Sequence, residues 1–115
     1  MNNFRELKVW QRAIDLATLI YSLTKSFPES EKYGLTSQLQ RATISVSSNI
    51  AEGSGRQTKP DFKHFLSISL GSLYEIESQL VVSHKLKYIS EKEVNMAITE
   101  VSEIQKMIYS LRSKL

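Results

Sequence analysis

The chain has 115 residues, no cysteine, 41% hydrophobic and 23% charged side chains, and a formal net charge of +3. One domain with a single core fits this length, and the absence of cysteine excludes disulfides, thiolate zinc sites and cysteine nucleophiles together. No apolar run approaches the roughly 18 residues of a membrane span, and charges interrupt the apolar positions of MNNFRELKVW, unlike a secretory signal, so a cytoplasmic protein without membrane contact is expected.

The first helix is expected over residues 5–27. Leu7, Trp10, Ile14, Ala17 and Tyr21 recur at spacings of three and four, and so do Val9, Ala13, Leu16, Ile20, Leu23 and Phe27. The two sets adjoin on a helical wheel and make an apolar arc of roughly 160°, wider than the stripe of an ordinary surface helix. Such an arc offers two contact surfaces. Either the helix lies deep between two neighbours of its own chain, or one surface meets another subunit. Pro28 stops it, and Gly34 permits a reversal in the connector PESEKYG.

The second helix is expected over 35–53, with Leu35, Leu39, Ala42, Val46 and Ile50 as its apolar line. Thr43, Ser45, Ser47 and Ser48 lower its intrinsic propensity, so tertiary packing has to hold it. Gly53 and Gly55 bracket its stop. Thr58, Pro60 and Asp61 form a helix start, and the third helix is expected over 59–86. Phe62, Phe65, Leu66, Ser69, Leu73, Ile76 and Leu80 form its core face, widened by Leu70, Val81 and Val82. Gly71 costs about 1 kcal/mol in mid-helix, which a close crossing with the small residues of the second helix would offset. Ser90 and Glu93 make a capping box for a fourth helix over 91–114. Its seam, Val94, Ala97, Val101, Ile104, Ile108, Leu111 and Leu115, holds a heptad over about three repeats. Glu100, Glu103, Lys106 and Arg112 face outward as a mixed-sign surface. Four helices, short connectors and no strand pattern predict an all-α protein, an antiparallel up-down four-helix bundle spanning residues 1–115 as one domain.

Catalytic chemistry finds no support in these residues, and no enzyme, metal or cofactor is expected. The glycines of EGSGR follow a helix and not a strand, so they do not read as a phosphate cradle. His64 and His84 lie on one helix about 30 Å apart and cannot share a metal within a chain. Glu75 and Glu77 lack the histidine three residues on that a ferritin-like carboxylate site needs. Two sets of polar residues remain. Asn49, Glu52, Arg56, Glu75 and Gln79 are expected to form a buried polar network where the second and third helices meet, the alternative being that the glutamates are simply solvated. Arg5, Lys8 and Arg12 share a helical face. With Arg56, Lys59 and Lys63 around the central turn they are the candidates for phosphate contact, against a plain solvated face. Aromatics for base stacking are not obviously interleaved, since Phe4 and Trp10 fall with the apolar set.

FRELKVWQRAIDLA, YGLTSQLQRATISVSSNIAEGSGR and FLSISLGSLYEIESQL together resemble the small bacterial four-helix-bundle proteins of the 23S rRNA-intervening-sequence family. The resemblance covers nearly the whole chain and is most specific in SSNIAEGSGR, residues 47–56, and LGSLYEIESQL, residues 70–80. It implies a ring-like homopentamer and an unsettled cellular role. The accessory protein of diversity-generating retroelements, a basic pentamer that binds nucleic acid and its reverse transcriptase, looks similar too. The family motif carries over onto Asn49, Glu52, Gly53 and Arg56, read here as structural. The expected function is therefore a non-enzymatic homo-oligomeric module that binds RNA or other nucleic acid through basic surface. The alternative is a protein–protein scaffold that docks a partner helix and touches no nucleic acid.

Overall fold

The computed structural model describes residues 3–115. Four helices carry the chain: α1 (Lys8–Thr24), α2 (Leu35–Ser54), α3 (Lys59–Lys85) and α4 (Glu91–Ser113), with short 3-10 turns at Phe4–Glu6 and Glu29–Glu31. There is no strand among the described residues. Helix α1 packs on α2 and α4, and α3 packs on α2 and α4, so each helix lies beside two others around a shared core. The long dimension of 43 Å is set by α3, whose 27 residues reach about 40 Å at 1.5 Å per residue.

The apolar periodicity of each helix becomes one core. Leu16 and Ile20 of α1, Leu39, Val46 and Ile50 of α2, Leu66, Leu73, Ile76 and Leu80 of α3, and Val101, Ile104 and Ile108 of α4 are fully buried. Each such side chain contributes roughly 1.5–3 kcal/mol over leaving it exposed. Of the two apolar sets on α1, the one from Val9 to Leu23 enters this core, while Ile14 and Tyr21 of the other remain about two-fifths exposed. The expected widening of α3 does not occur at Val81 and Val82, which face solvent; only Leu70 joins the core.

Helix α1 is shorter than residues 5–27. Asn3 Oδ1 accepts from the Arg5 amide at 3.1 Å and caps a 3-10 turn. Leu7 is extended, so the helix begins only at Lys8. Phe4 packs edge-on against Trp10 with ring centroids 5.1 Å apart, which is why the apolar rhythm runs on through a segment that is not α-helical. At the other end the Thr24 hydroxyl donates back to the carbonyls of Ile20 and Tyr21, and Phe27 is buried beyond the helix end.

Two glycines exchange roles relative to expectation. A Cβ on Gly71 would meet nothing within 4 Å, so no helix crosses there. The close crossing is at Gly53, where a Cβ would lie 2.7 Å from Phe65 Cβ and 2.9 Å from Phe62 Cδ1. Gly55 ends α2 in a right-handed conformation, so it supplies no left-handed cap. The starts of α3 and α4 follow the sequence: Thr58 Oγ1 accepts from the Asp61 amide, and Ser90 and Glu93 form the reciprocal box.

Candidate functional site

The end of the bundle where α2 turns into α3 also holds the start of α1 and the end of α4. Leu115 lies with Arg56, Lys59 and Phe62 around the turn. Lys8 lies with Lys106 and Lys114 around an apolar groove floored by Leu7, Met107 and Leu111. The Arg112 guanidinium donates to Ser67 Oγ at 2.9 Å and stacks on Tyr109. Three segments distant in sequence thus bring Arg5, Lys8, Arg56, Lys59, Lys63, Lys106, Arg112 and Lys114 to one end. Eight basic side chains stand there against three acidic ones (Glu6, Glu52 and Asp61), a local charge of +5. The other seven basic and nine acidic residues carry −2, which returns the chain's +3.

Arg12 is not a member of this set. Its Nε donates to Glu100 at 2.8 Å and its Nη2 to Glu103 at 2.6 Å, tying α1 to α4. The bonds to Glu100 and then to Glu103 hold its pKa above the already high guanidinium value, so the group stays charged and its charge is spent within the chain. Arg5 does not share a helical face with it, because Arg5 lies in the 3-10 turn before the helix; Lys8, the first residue of α1, does, one turn away. Lys106 and Arg112 are basic members that the sequence reading left on a solvated face, and Lys114 is one that it did not single out. The signal that reaches them is the pairing of α1 with α4, which sets the start of one beside the end of the other.

The expected polar network between α2 and α3 is three separate clusters. Asn49 Nδ2 donates to the Ser45 carbonyl at 2.8 Å and to Ser45 Oγ at 3.1 Å, and Ser72 Oγ donates to that same hydroxyl at 2.9 Å. Glu52 and Arg56 pair at 3.2 Å on the surface, one helical turn apart. Gln79 Nε2 donates to Gln38 Oε1 and to Glu75 Oε2. The clusters do not join because Asn49 and Gln79 sit at opposite ends of the α2–α3 contact. Glu77 instead accepts from Gln105 of α4.

Aromatic rings do stand among the basic residues. Phe4 and Phe65, both half-buried, border an open cleft of about 560 Å³ with Ser48, Asn49, Ala51 and Glu52. The Arg56 guanidinium lies 4.7 Å from the centroid of the Phe65 ring. Phe65 was expected in the core. It is displaced to the rim because Gly53 lets the backbone of α2 come down onto its Cβ. Among the described residues, no group of three or more His, Asp or Glu side chains could hold a metal ion, and no helix is long and apolar enough to cross a membrane.

The family described as 23S rRNA-intervening sequence protein matches residues 5–110. The chain belongs to that family. As a 23S rRNA-intervening sequence protein it carries its most specific segment, SSNIAEGSGR, at the site just described: Ser48, Asn49, Ala51 and Glu52 line the cleft, and Arg56 stands over Phe65. Among solved structures the chain is similar to a protein of unknown function from the S23 ribosomal protein family of Bacteroides thetaiotaomicron VPI-5482. The two are 24% identical over 90% of this chain and 97% of that one, with a TM-score of 0.81, a likeness of fold. No curated protein matches the chain.

Proposed function

We propose that this 23S rRNA-intervening sequence protein is a non-enzymatic cytoplasmic module that binds RNA through its basic end. The observation that carries this reading is the gathering of eight lysines and arginines from three segments at one end, while the remainder of the chain is slightly acidic. A one-ended field of this kind attracts a polyanion and orients it. Arg56 keeps most of its five donors for a phosphate, because Glu52 takes only one bond from it at 3.2 Å. Lys59 and Lys63 are exposed on the first turns of α3 beside it.

The helices are read as an up-and-down bundle. The pairs Gln38–Gln79, Ser45–Ser72 and Val46–Ser69 support that order, since the number rises on α2 as it falls on α3. The molecule is read as a ring-like homopentamer, supported by two unlike apolar strips on opposite flanks. Ile14, Tyr21 and Ile44 lie along α1 and α2; Tyr74, Val81 and Tyr109 lie along α3 and α4. A ring repeats the basic end around its axis. A second reading, a protein scaffold, is favoured by the lysine-rimmed apolar groove at Lys8, Lys106 and Lys114, since phosphates have no use for an apolar floor.

The two separate by salt. Titration of a structured RNA and a duplex DNA at two salt concentrations should give binding that is tight at low salt and collapses at high salt, because phosphate contacts release counterions. Replacing Arg56, Lys59 and Lys63 with glutamine should flatten the logarithmic salt slope by about 2–3. Arg12→Gln should leave RNA affinity unchanged while lowering the melting temperature. Absence of binding at low salt would remove the RNA reading and leave the scaffold.

A further inference from the structure

We infer that the cleft between Phe4 and Phe65 takes one unstacked base of single-stranded RNA and prefers guanine. This rests on the RNA-binding reading and adds to it a site that reads the base. The cleft is open, holds about 560 Å³ and is bordered by two half-buried phenyl rings from different segments. Aromatic faces of this kind stack unpaired bases. Basic side chains stand on both sides: Arg5 follows Phe4 in sequence, and Arg56 covers Phe65 at 4.7 Å. A strand whose phosphates follow these arginines passes the mouth of the cleft.

The preference follows from which polar atoms are left over. Asn49 Nδ2 is committed to the Ser45 carbonyl and hydroxyl. The carbonyl only accepts, so the amide cannot be turned the other way. That leaves Asn49 Oδ1, which receives no hydrogen bond from the described residues, as a free acceptor on the cleft wall. Glu52 accepts from Arg56 through Oε1 alone, and its Oε2 is free as well. The polar side of the cleft is therefore mainly accepting and calls for a base with donors on its edge. Uracil offers a single imino N–H. Adenine and cytosine offer one exocyclic amino group each. Guanine alone sets an imino N–H and an amino group side by side, the geometry that a carboxylate receives with two parallel bonds.

The family segment makes sense of this placement. At Gly53 there is no room for a side chain, since a Cβ there would lie 2.7 Å from Phe65 Cβ, and that close approach of α2 to α3 brings Phe65 to the rim beside Asn49 and Glu52. The glycine builds the cleft, and the residues before it line the cleft.

The chain supplies its own reporter. Trp10 is the only tryptophan and packs edge-on against Phe4 at 5.1 Å, one ring away from the cleft. Four uridine heptamers carrying G, A, C or U at the centre would be titrated at low salt and followed by Trp10 fluorescence. The guanine heptamer should bind at least tenfold tighter than the uridine one and change the emission to saturation. Glu52→Gln exchanges one acceptor for a donor on an exposed side chain, so the fold is kept, as circular dichroism would verify. It should bring the guanine preference down to within twofold. Lys59→Glu should weaken all four heptamers by the same factor. Equal binding of the four heptamers, or a guanine preference that survives Glu52→Gln, would overturn the base site while leaving phosphate binding intact. A preference without any change in Trp10 emission would move the site away from Phe4 and overturn it too. Failure of every heptamer and of structured RNA at low salt would remove the RNA reading itself, a result distinct from the other three.

Discussion

Thr43 of α2 is fully buried, and its hydroxyl has no hydrogen-bond partner. The other buried hydroxyls nearby are satisfied: Ser69 donates across to the Val46 carbonyl at 2.9 Å, and Ser83 donates to its own helix at Gln79. An orphaned hydroxyl in a core costs roughly 1–3 kcal/mol of desolvation with nothing in return. Thr43→Val keeps the shape and removes the polar atom. It should raise unfolding stability by about 1 kcal/mol, read as a higher urea midpoint at unchanged slope. A lower midpoint would mean that the hydroxyl is bonded in the folded protein after all. No sequence argument singles out Thr43, because whether a hydroxyl is orphaned depends on what another helix sets opposite it. The same holds for Arg12. Its place on the polar side of helix 1 is legible; the two carboxylates eighty-eight and ninety-one residues away that consume its charge are not.

Helix ends show where local chemistry suffices and where it does not. Thr58 and Ser90 cap through their own side chains to amides three residues on, so both starts can be read from four consecutive letters. The end of α3 has no such letters. It closes in a Schellman motif, with the Lys87 amide on the His84 carbonyl and the Tyr88 amide on the Ser83 carbonyl, both at 2.9 Å. Lys87 takes the left-handed position at φ 64°, where glycine is usual. What holds it there is Tyr88, which packs on Phe27 with centroids 5.3 Å apart and donates to Glu31 Oε2 at 2.9 Å. Tertiary contact therefore sets a turn that propensity opposes. A lysine in this region carries roughly 1–2 kcal/mol of strain, and glycine there adds entropy to the unfolded chain that takes back part of the relief. Lys87→Gly should stabilise by about 0.5–1 kcal/mol, visible as a rise in melting temperature without change in the helical signal. A fall would show that the side chain of Lys87 contributes more than its backbone costs.

At the scale of the whole molecule, two half-exposed apolar strips stand out. They lie on opposite flanks, because α1 and α2 adjoin, α3 and α4 adjoin, and the backbones of the diagonal pairs stand further apart. They also differ. One centres on Ile14, Tyr21 and Ile44; the other on Tyr74, Val81 and Tyr109, the two tyrosine hydroxyls being 2.8 Å apart. Surfaces that differ and face opposite ways pair head to tail, and a head-to-tail contact closes into a ring when the rotation allows. The wide apolar arc of helix 1 makes the first strip legible in the sequence. The second is not, because Val81 reads as core until the position of α4 is known. Every contact in such a ring uses one strip of each kind, which yields a test beyond mass alone. Unmodified protein should scatter light as a homopentamer of the 13.1 kDa chain. Tyr21→Asp destroys the first strip and Val81→Asp the second, and each variant alone should be a monomer. Mixed in equal amounts, they retain one live strip each, and these are complementary, so the mixture should form dimers and go no further. An isologous dimer would behave otherwise: a variant in the self-paired strip would stay monomeric in the mixture as well. Formation of mixed dimers would establish that the two flanks are partners, and monomers in the mixture would reject the pairing whatever the mass of the unmodified protein.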